Sequence, residues 1–280
     1  MTRIFSILKE RLADQIPGSV INLLPRGYQK IGDIIILSLK PELIPYREII
    51  ASELIKLTPR TRMVMLKKSG VTGEFRKPNL EVILGEGGTE TVHFENNCIF
   101  KLDVTNIMFS KGNISERRRI AKLVREGETV VDMFAGIGYF SINIAVHAKP
   151  KKIIAIELNP LAYKYLLENI RLNKVEHLIE PIHGDAGIVC TQLTNLADRV
   201  IMGLLPSPRN YVKPALNILR RPGVIHYEGV CESGSRFETL LKEFITAAEL
   251  SEKEVKLIGS RRVKSFGPRK EHVRLDIQVN

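Results

Sequence analysis

Cysteine is scarce and scattered. The three in 280 residues, Cys98, Cys190 and Cys231, lie too far apart for a CxxC or CxxH pair, which excludes a zinc-finger or thiol-redox motif and leaves reduced core thiols. Histidines at 93, 147, 177, 183, 226 and 272 show no ligand spacing either, so no metal site is expected and each reads as structural. No run is apolar enough to span a bilayer. The start, MTRIFSILKERLADQIPG, is interrupted by Lys9, Glu10, Arg11 and Asp14 and reads as neither a signal peptide nor a membrane segment. Internal repeats and low-complexity tracts are missing as well. Acidic residues are in deficit, 31 against 42 Lys plus Arg, for a net charge of +11. That balance favours a polyanionic partner over an acidic small metabolite, although basic surfaces also occur on proteins that bind no nucleic acid. A cytoplasmic monomer with no membrane association is expected.

Hydrophobic residues make up 44% of the chain, enough for one large domain or two modest ones. Ile4, Phe5, Ile7, Leu8 and Leu12 recur at helical spacing, and YQKIGDIIILSL reads as a turn followed by a strand. PYREIIASELIKL reads as a second amphipathic helix, RMVMLKK and LEVILGEGG as strands, and TETVHFENNCIFKLDV as a hairpin turning at Asn96-Asn97. Residues 1–100 are thus expected to form a small α+β module that binds tRNA or substrate. From there to residue 280, strand-like runs alternate with helical ones, the pattern of a parallel sheet with helices on both faces. Two strand-like runs at the end, with no helix between them, suggest a closing antiparallel hairpin. The basic stretch Ser260–Arg274 reads as a loop, either solvated or touching phosphate.

VVDMFAGIGYFSINIA puts an apolar strand before Asp132, then Phe134-Ala135-Gly136-Ile137-Gly138, then a helix. Glycines at this point let the backbone approach a ligand at the carboxyl end of the first strand. Position 141 is Ser, so GxGxxG is incomplete and a dinucleotide is disfavoured. The next strand ends at Glu157, suited to the two ribose hydroxyls, and a later one at Asp185, within reach of an adenine amino group. The competing reading makes these two acids a helix cap and a turn residue.

Taken together, D-x-F-A-G-x-G-x-F (132–140), E-x-N-P (157–160) and G-D-A (184–186) resemble the class I S-adenosylmethionine-dependent, Rossmann-like methyltransferase fold. The closer resemblance is to the family of tRNA position-37 modifying enzymes, and it runs over roughly residues 30–280. It implies S-adenosylmethionine held by Ser110, Lys111, Arg117, Asp132, Phe134, Ala135, Gly136, Gly138, Glu157, Leu158, Asn159, Asp185, Ala186 and Gly203. It also implies a substrate base seated against Leu204, Leu205, Pro206 and Tyr211, with Arg76 and Glu116 as catalytic residues and the tRNA anticodon loop as partner. Tyr139 and Tyr211 are candidates for stacking on a base or for plain packing.

Two segments depart from the family's methylating branch. Its F-S-P-R-L-x-x-E-R reads Phe109-Ser-Lys-Gly-Asn-Ile-Ser-Glu-Arg117 here, and its N-L-P or N-P-P reads Gly203-Leu-Leu-Pro206. Loss of the asparagine removes a polar group that holds guanine and leaves an apolar wall, better suited to a larger, already modified base. Lys111 is expected to pair with the cofactor's α-carboxylate, and Gly112 to admit close backbone approach. Both changes resemble the aminocarboxypropyl-transferring branch. Carbon 7 of a demethylwyosine-type base at position 37 of phenylalanine tRNA is therefore the expected target, with guanine-37 N1-methylation and a non-catalytic tRNA-binding protein as alternatives. The extra small domain that many of the methyltransferases carry at the N-terminus is not expected here.

Overall fold

The computed structural model describes residues 3–234, 237–249 and 253–280. The chain divides into two compact units, Met1–Phe94 with Phe100–Lys111, and Glu95–Ile99 with Gly112–Asn280.

In the first unit, α1 (Arg3–Arg11) and α2 (Gly18–Ile21) lead into β1 (Gln29–Ile31) and β2 (Ile34–Leu37), followed by α3 (Arg47–Leu57), β3 (Met63–Lys67) and β4 (Leu80–Gly85). The sheet order is β1-β2-β3-β4, with β2 and β3 parallel and the outer pairs antiparallel. YQKIGDIIILSL, expected to be a turn followed by one strand, holds two: Gln29–Ile31 already forms a strand before the turn. Gly32 (φ +54°) turns the chain at the tip of a hairpin, and a Cβ there would fall 2.6 Å from the Val92 carbonyl oxygen. Leu8, Leu12, Ile35, Leu37, Leu43, Ile50, Leu54 and Val64 form the core of this unit.

A two-stranded hairpin, β5 (Glu90–Glu95) and β6 (Cys98–Asp103), carries the chain onward. Asn96 and Asn97 have φ of +52° and +57°, the left-handed pair a tight hairpin turn demands. The hairpin tip belongs to the second unit, where Asn96 donates to Asn143 (2.7 Å) and Asn173 bonds the Ile99 backbone on both sides (2.8 and 2.7 Å).

The second unit opens with α4 (Ile114–Leu123) and β7 (Thr129–Asp132), then α5 (Ser141–His147), β8 (Lys152–Glu157) and α6 (Pro160–Leu172). It continues through β9 (Ile179–His183), α7 (Ala186–Gln192), β10 (Ala197–Met202), α8 (Val212–Ile218), β11 (Leu219–Glu232), α9 (Glu238–Glu249), β12 (Val255–Gly267) and β13 (Lys270–Val279). Its seven-stranded sheet has the order β12-β13-β11-β10-β7-β8-β9, parallel from β11 to β9 and antiparallel at β13 and β12. Strand order reverses between β7 and β10, which opens a crevice at their carboxyl ends. Val130, Val131, Ile153, Ile154, Val200 and Ile201 are buried because helices cover both faces.

The stretch Ser260–Arg274 is not a loop: it forms most of β12, a short turn and the start of β13. Alternation along β13 explains the misreading. Val273, Leu275 and Ile277 face the apolar core, while His272, Arg274 and Asp276 lie on the other face, nearly inaccessible, because each has a charged or polar partner there.

Candidate active site

The glycine loop is assembled around two acids. Gly136 (φ +57°) and Gly138 (φ +98°) occupy backbone conformations that L side chains rarely adopt, and a Cβ on Gly138 would stand 2.5 Å from the Ile142 side chain. Glu157, at the tip of β8, accepts from the Gly136 N–H on one oxygen and from the Asn159 N–H on the other, each at 2.7 Å. Burial raises its pKa, opposed by these backbone donors. Asn159 itself caps α6 by accepting from Leu161 and Ala162 (3.0 and 3.4 Å), so capping falls to Asn159 rather than to Glu157.

Asp132 ends β7 fully buried, with one oxygen accepting from the Ser141 hydroxyl (2.7 Å) and the other, Oδ1, lacking a partner among the described residues. Burial pushes its pKa up to about 7. Because the unfolded carboxyl gives up its proton near its ordinary 3.8, the chain loses stability on this account as pH rises between about 4 and 7. Asp132→Asn is expected to flatten that slope in urea titrations at pH 5 and pH 8. An unchanged slope would show that Asp132 ionises normally in the fold.

Asp185 caps α7 through Oδ1, accepting from Gly187 (2.6 Å) and Ile188 (3.3 Å), while Oδ2 accepts from the Tyr211 hydroxyl at 3.3 Å. Tyr211 meets Phe134 edge-on, with ring centroids 4.9 Å apart, so Phe134, Asp185 and Tyr211 form one wall. Ala135 is buried and its N–H bonds Ile156, whereas Leu158 stays exposed. Past β10, Gly203, Leu204 and Leu205 are half-buried and Pro206 is exposed, its carbonyl accepting from Val230 at 2.8 Å. The nearest side-chain atoms to a Cβ placed on Gly203 would be Phe140 Cε2 (3.2 Å) and Glu228 Oε2 (3.9 Å).

Glu116, 1% exposed on α4, is held by Arg119 through both carboxylate oxygens (2.9–3.1 Å) and by Arg274 Nε at 3.0 Å. Burial pushes its pKa up to about 7 against the pull of Arg274, and the charges of Glu228 and Asp276 add to the rise. Arg119 and Arg274 also bind Asp276, which pairs with His226, which in turn meets Arg199 and through it Glu128. This buried network escaped sequence reading, since its members come from α4, β10, β11, β13 and a loop. A period-two run of polar residues inside the strand-like EHVRLDIQV was its one visible trace.

Arg117, expected at the cofactor, is instead 2% exposed, paired with Glu95 and stacked over the Tyr139 ring at 4.8 Å. Tyr139, half-buried, covers Gly136, where a Cβ would fall 2.7 Å from its ring, so it packs against the loop. Gly112 is exposed and adjoins the Lys264 side chain, Cδ standing 2.8 Å from where a Cβ would be. The side chain of Lys111 lies outside the described residues. In the first unit, Ser110 is half-buried and Arg76, also half-buried, has φ +53° and approaches Met108 Sδ at 3.9 Å; burial lowers its pKa. Among the described residues no group of His, Cys, Asp and Glu could hold a metal, and no helix is long and apolar enough to cross a membrane.

The glycine cradle, the partnerless Asp132 Oδ1 and the acids at two strand tips fit an adenosine bearing an amino-acid tail, and with the sheet order they define a class I S-adenosylmethionine-dependent transferase. The chain belongs to the TRM5/TYW2 family: residues 91–258 match the TRM5/TYW2 methyltransferase domain, and residues 8–89 match the TYW2 N-terminal domain. It is 40% identical, over 89% of its length and 96% of the relative's, to the tRNA(Phe) (4-demethylwyosine(37)-C(7)) aminocarboxypropyltransferase of Methanocaldococcus jannaschii. Among solved structures, P. horikoshii TYW2 in complex with MeSAdo superposes with a TM-score of 0.85 at 34% identity, covering 98% of both chains. The complex of aTrm5 and tRNALeu gives 0.81 at 35% identity, covering 98% of this chain and 78% of that one.

Proposed function

We propose that this enzyme transfers the 3-amino-3-carboxypropyl group of S-adenosylmethionine to carbon 7 of 4-demethylwyosine at position 37 of phenylalanine tRNA, the carbon–sulfur bond breaking to release 5′-methylthioadenosine. When bound, the cofactor supplies an electrophilic carbon activated by its sulfonium. Gly203 carries the reading: where the methylating branch has an asparagine for guanine, this chain has no side chain at all, and a phenyl ring and a carboxylate border the space. Similarity to the M. jannaschii aminocarboxypropyltransferase over nearly the full length of both chains supports it.

The residues divide the work. Glu157 holds the ribose hydroxyls, Asp185 the adenine amino group, and Asp132 with Ser110 and Lys111 the amino-acid tail. Phe134, Ala135, Gly136, Gly138, Leu158, Asn159 and Ala186 shape the nucleoside cradle. Leu204, Leu205, Pro206 and Tyr211 flank the base and exclude water. Glu116 takes the proton that carbon 7 loses on alkylation, a role suited to a carboxylate whose pKa stands at about 7. Arg76 meets the base or the tRNA backbone. The same reading has the protein at work on the anticodon loop as a cytoplasmic monomer.

Cofactor labelled separately in the methyl and the carboxyl carbon tests the reaction. Incubation with tRNA carrying 4-demethylwyosine is expected to leave the carboxyl label in the tRNA and the methyl label in the small-molecule fraction. Methyl label in the tRNA would make the enzyme a methyltransferase. Neither label in a tRNA that still binds would make it a binding protein.

A further inference from the structure

The seat beside Gly203 is not uniformly apolar. Glu228, on β11, is 2% exposed and turns to the same sheet face as His226, away from Tyr227 and the apolar core. Its Oε2 is 2.9 Å from His272 Nε2, and His272, on the neighbouring β13, is fully buried. The other ring nitrogen, Nδ1, has no partner among the described residues. An N–H on Nδ1 would be a buried donor with nothing to receive it, whereas one on Nε2 meets the Glu228 carboxylate. The proton therefore sits on Nε2, and Glu228 is an acceptor whose orientation His272 fixes.

Arg274, opposite Glu228 in the β11–β13 register, is spent elsewhere: its guanidinium meets Glu116 and Asp276. A side chain at position 203 would crowd this carboxylate, since a Cβ there already comes within 3.9 Å of Oε2. With glycine no side chain from position 203 crowds the carboxylate, which itself keeps only a few per cent of its surface accessible. A buried carboxylate with a single donor calls for a second, and 4-demethylwyosine has one at the ring nitrogen that a methylated wyosine base has lost.

We infer that Glu228, positioned by His272 and uncrowded by any side chain at position 203, accepts a hydrogen bond from the N–H at position 4 of the base and so selects 4-demethylwyosine against the 4-methylated base. The inference rests on the proposed substrate. A site built to hydrogen-bond an N–H rejects the analogue lacking it strongly, because the buried acceptor is left facing a methyl group.

The test uses two phenylalanine tRNAs that differ only by the methyl group at position 4, with binding measured without cofactor and transfer measured in single turnover. The full-length enzyme is expected to prefer the demethyl tRNA by about a hundredfold or more in single-turnover kcat/KM, and measurably in binding. Glu228→Ala is expected to bring that preference to within about threefold, by losing on the demethyl tRNA rather than gaining on the other. Glu228→Gln, whose amide oxygen still accepts, is expected to keep part of the preference, and His272→Gln, which still donates, more of it than His272→Leu. Gly203→Asn is expected to lower the preference by crowding the carboxylate. Far-UV circular dichroism and melting temperature establish that each variant is folded, and the Gln variants stand in for any that is not. Equal use of both tRNAs by the unaltered enzyme, or a preference intact in Glu228→Ala, would overturn the inference. Failure of the unaltered enzyme to transfer the carboxyl label would instead sink the proposed reaction, and the binding comparison would still decide the role of Glu228.

Discussion

Glu157→Gln is expected to weaken S-adenosylmethionine binding by about a hundredfold or more while the chain stays folded. Both carboxylate oxygens of Glu157 are committed to backbone donors, Gly136 on one side and Asn159 on the other. Glutamine has one acceptor oxygen, so its NH2 must confront one of those N–H groups and push away either the glycine loop or the start of α6. Hydrogen bonds to a charged group contribute about 1.5–3 kcal/mol each, and a hundredfold in affinity corresponds to about 2.7 kcal/mol. One disrupted anchor and one weakened ribose acceptor are enough. Isothermal titration with the cofactor alone checks this, without tRNA or turnover. Affinity within about threefold of the unaltered chain would reduce Glu157 to a residue that merely shapes a turn.

Glu116→Ala is expected to destabilise the chain by about 3–5 kcal/mol, the usual cost of removing one partner from a buried ion pair. Arg119 and Arg274 would lose the carboxylate that holds them, and Asp276 would be left to neutralise both. Glu116→Gln keeps the volume and separates stability from chemistry. If Glu116 accepts the proton from carbon 7, this variant is expected to lose on the order of 10²–10⁴ in single-turnover rate while tRNA and cofactor still bind.

The pH dependence sharpens the test, because rate and stability move in opposite directions. As a base, Glu116 must be ionised, so the rate rises as pH climbs through about 7. Its pKa in the fold lies above the ordinary 4.5, so the folded state holds the proton more tightly and stability falls between about pH 4.5 and 7. Glu116→Gln is expected to remove both trends. A rate unaffected by the substitution would assign Glu116 to the ion-pair network alone and leave proton transfer to another group.

Local signals made much of this protein legible. Asn96-Asn97 supplied a hairpin turn because asparagine tolerates positive φ, and both residues adopt it. The glycine loop could be read because Gly136 and Gly138 stand where a side chain would be strained. YQKIGDIIILSL was half read: a three-residue strand carries too little pattern to be recognised without its partner. Arg117 read as a cofactor ligand because a charged residue beside a cofactor segment looks like one, whereas its pairing with Glu95 could not be read, since that residue is brought alongside only by folding.

The sequence by itself determined the alternation of strands and helices, the glycine cradle and the order of the strand-tip acids, since each depends on residues within a few positions of one another. It also carried the missing asparagine at position 203. Only the tertiary structure decided what borders that gap. Phe140, Glu228 and His272 come from a helix N-cap and two sheet strands, and a polar residue at alternate strand positions looks solvent-facing until the opposite face is known. Burial and charge pairing are properties of surfaces brought together from distant parts of the chain, and for that reason the basic stretch Ser260–Arg274 read as a loop although the closing antiparallel hairpin to which it belongs was legible.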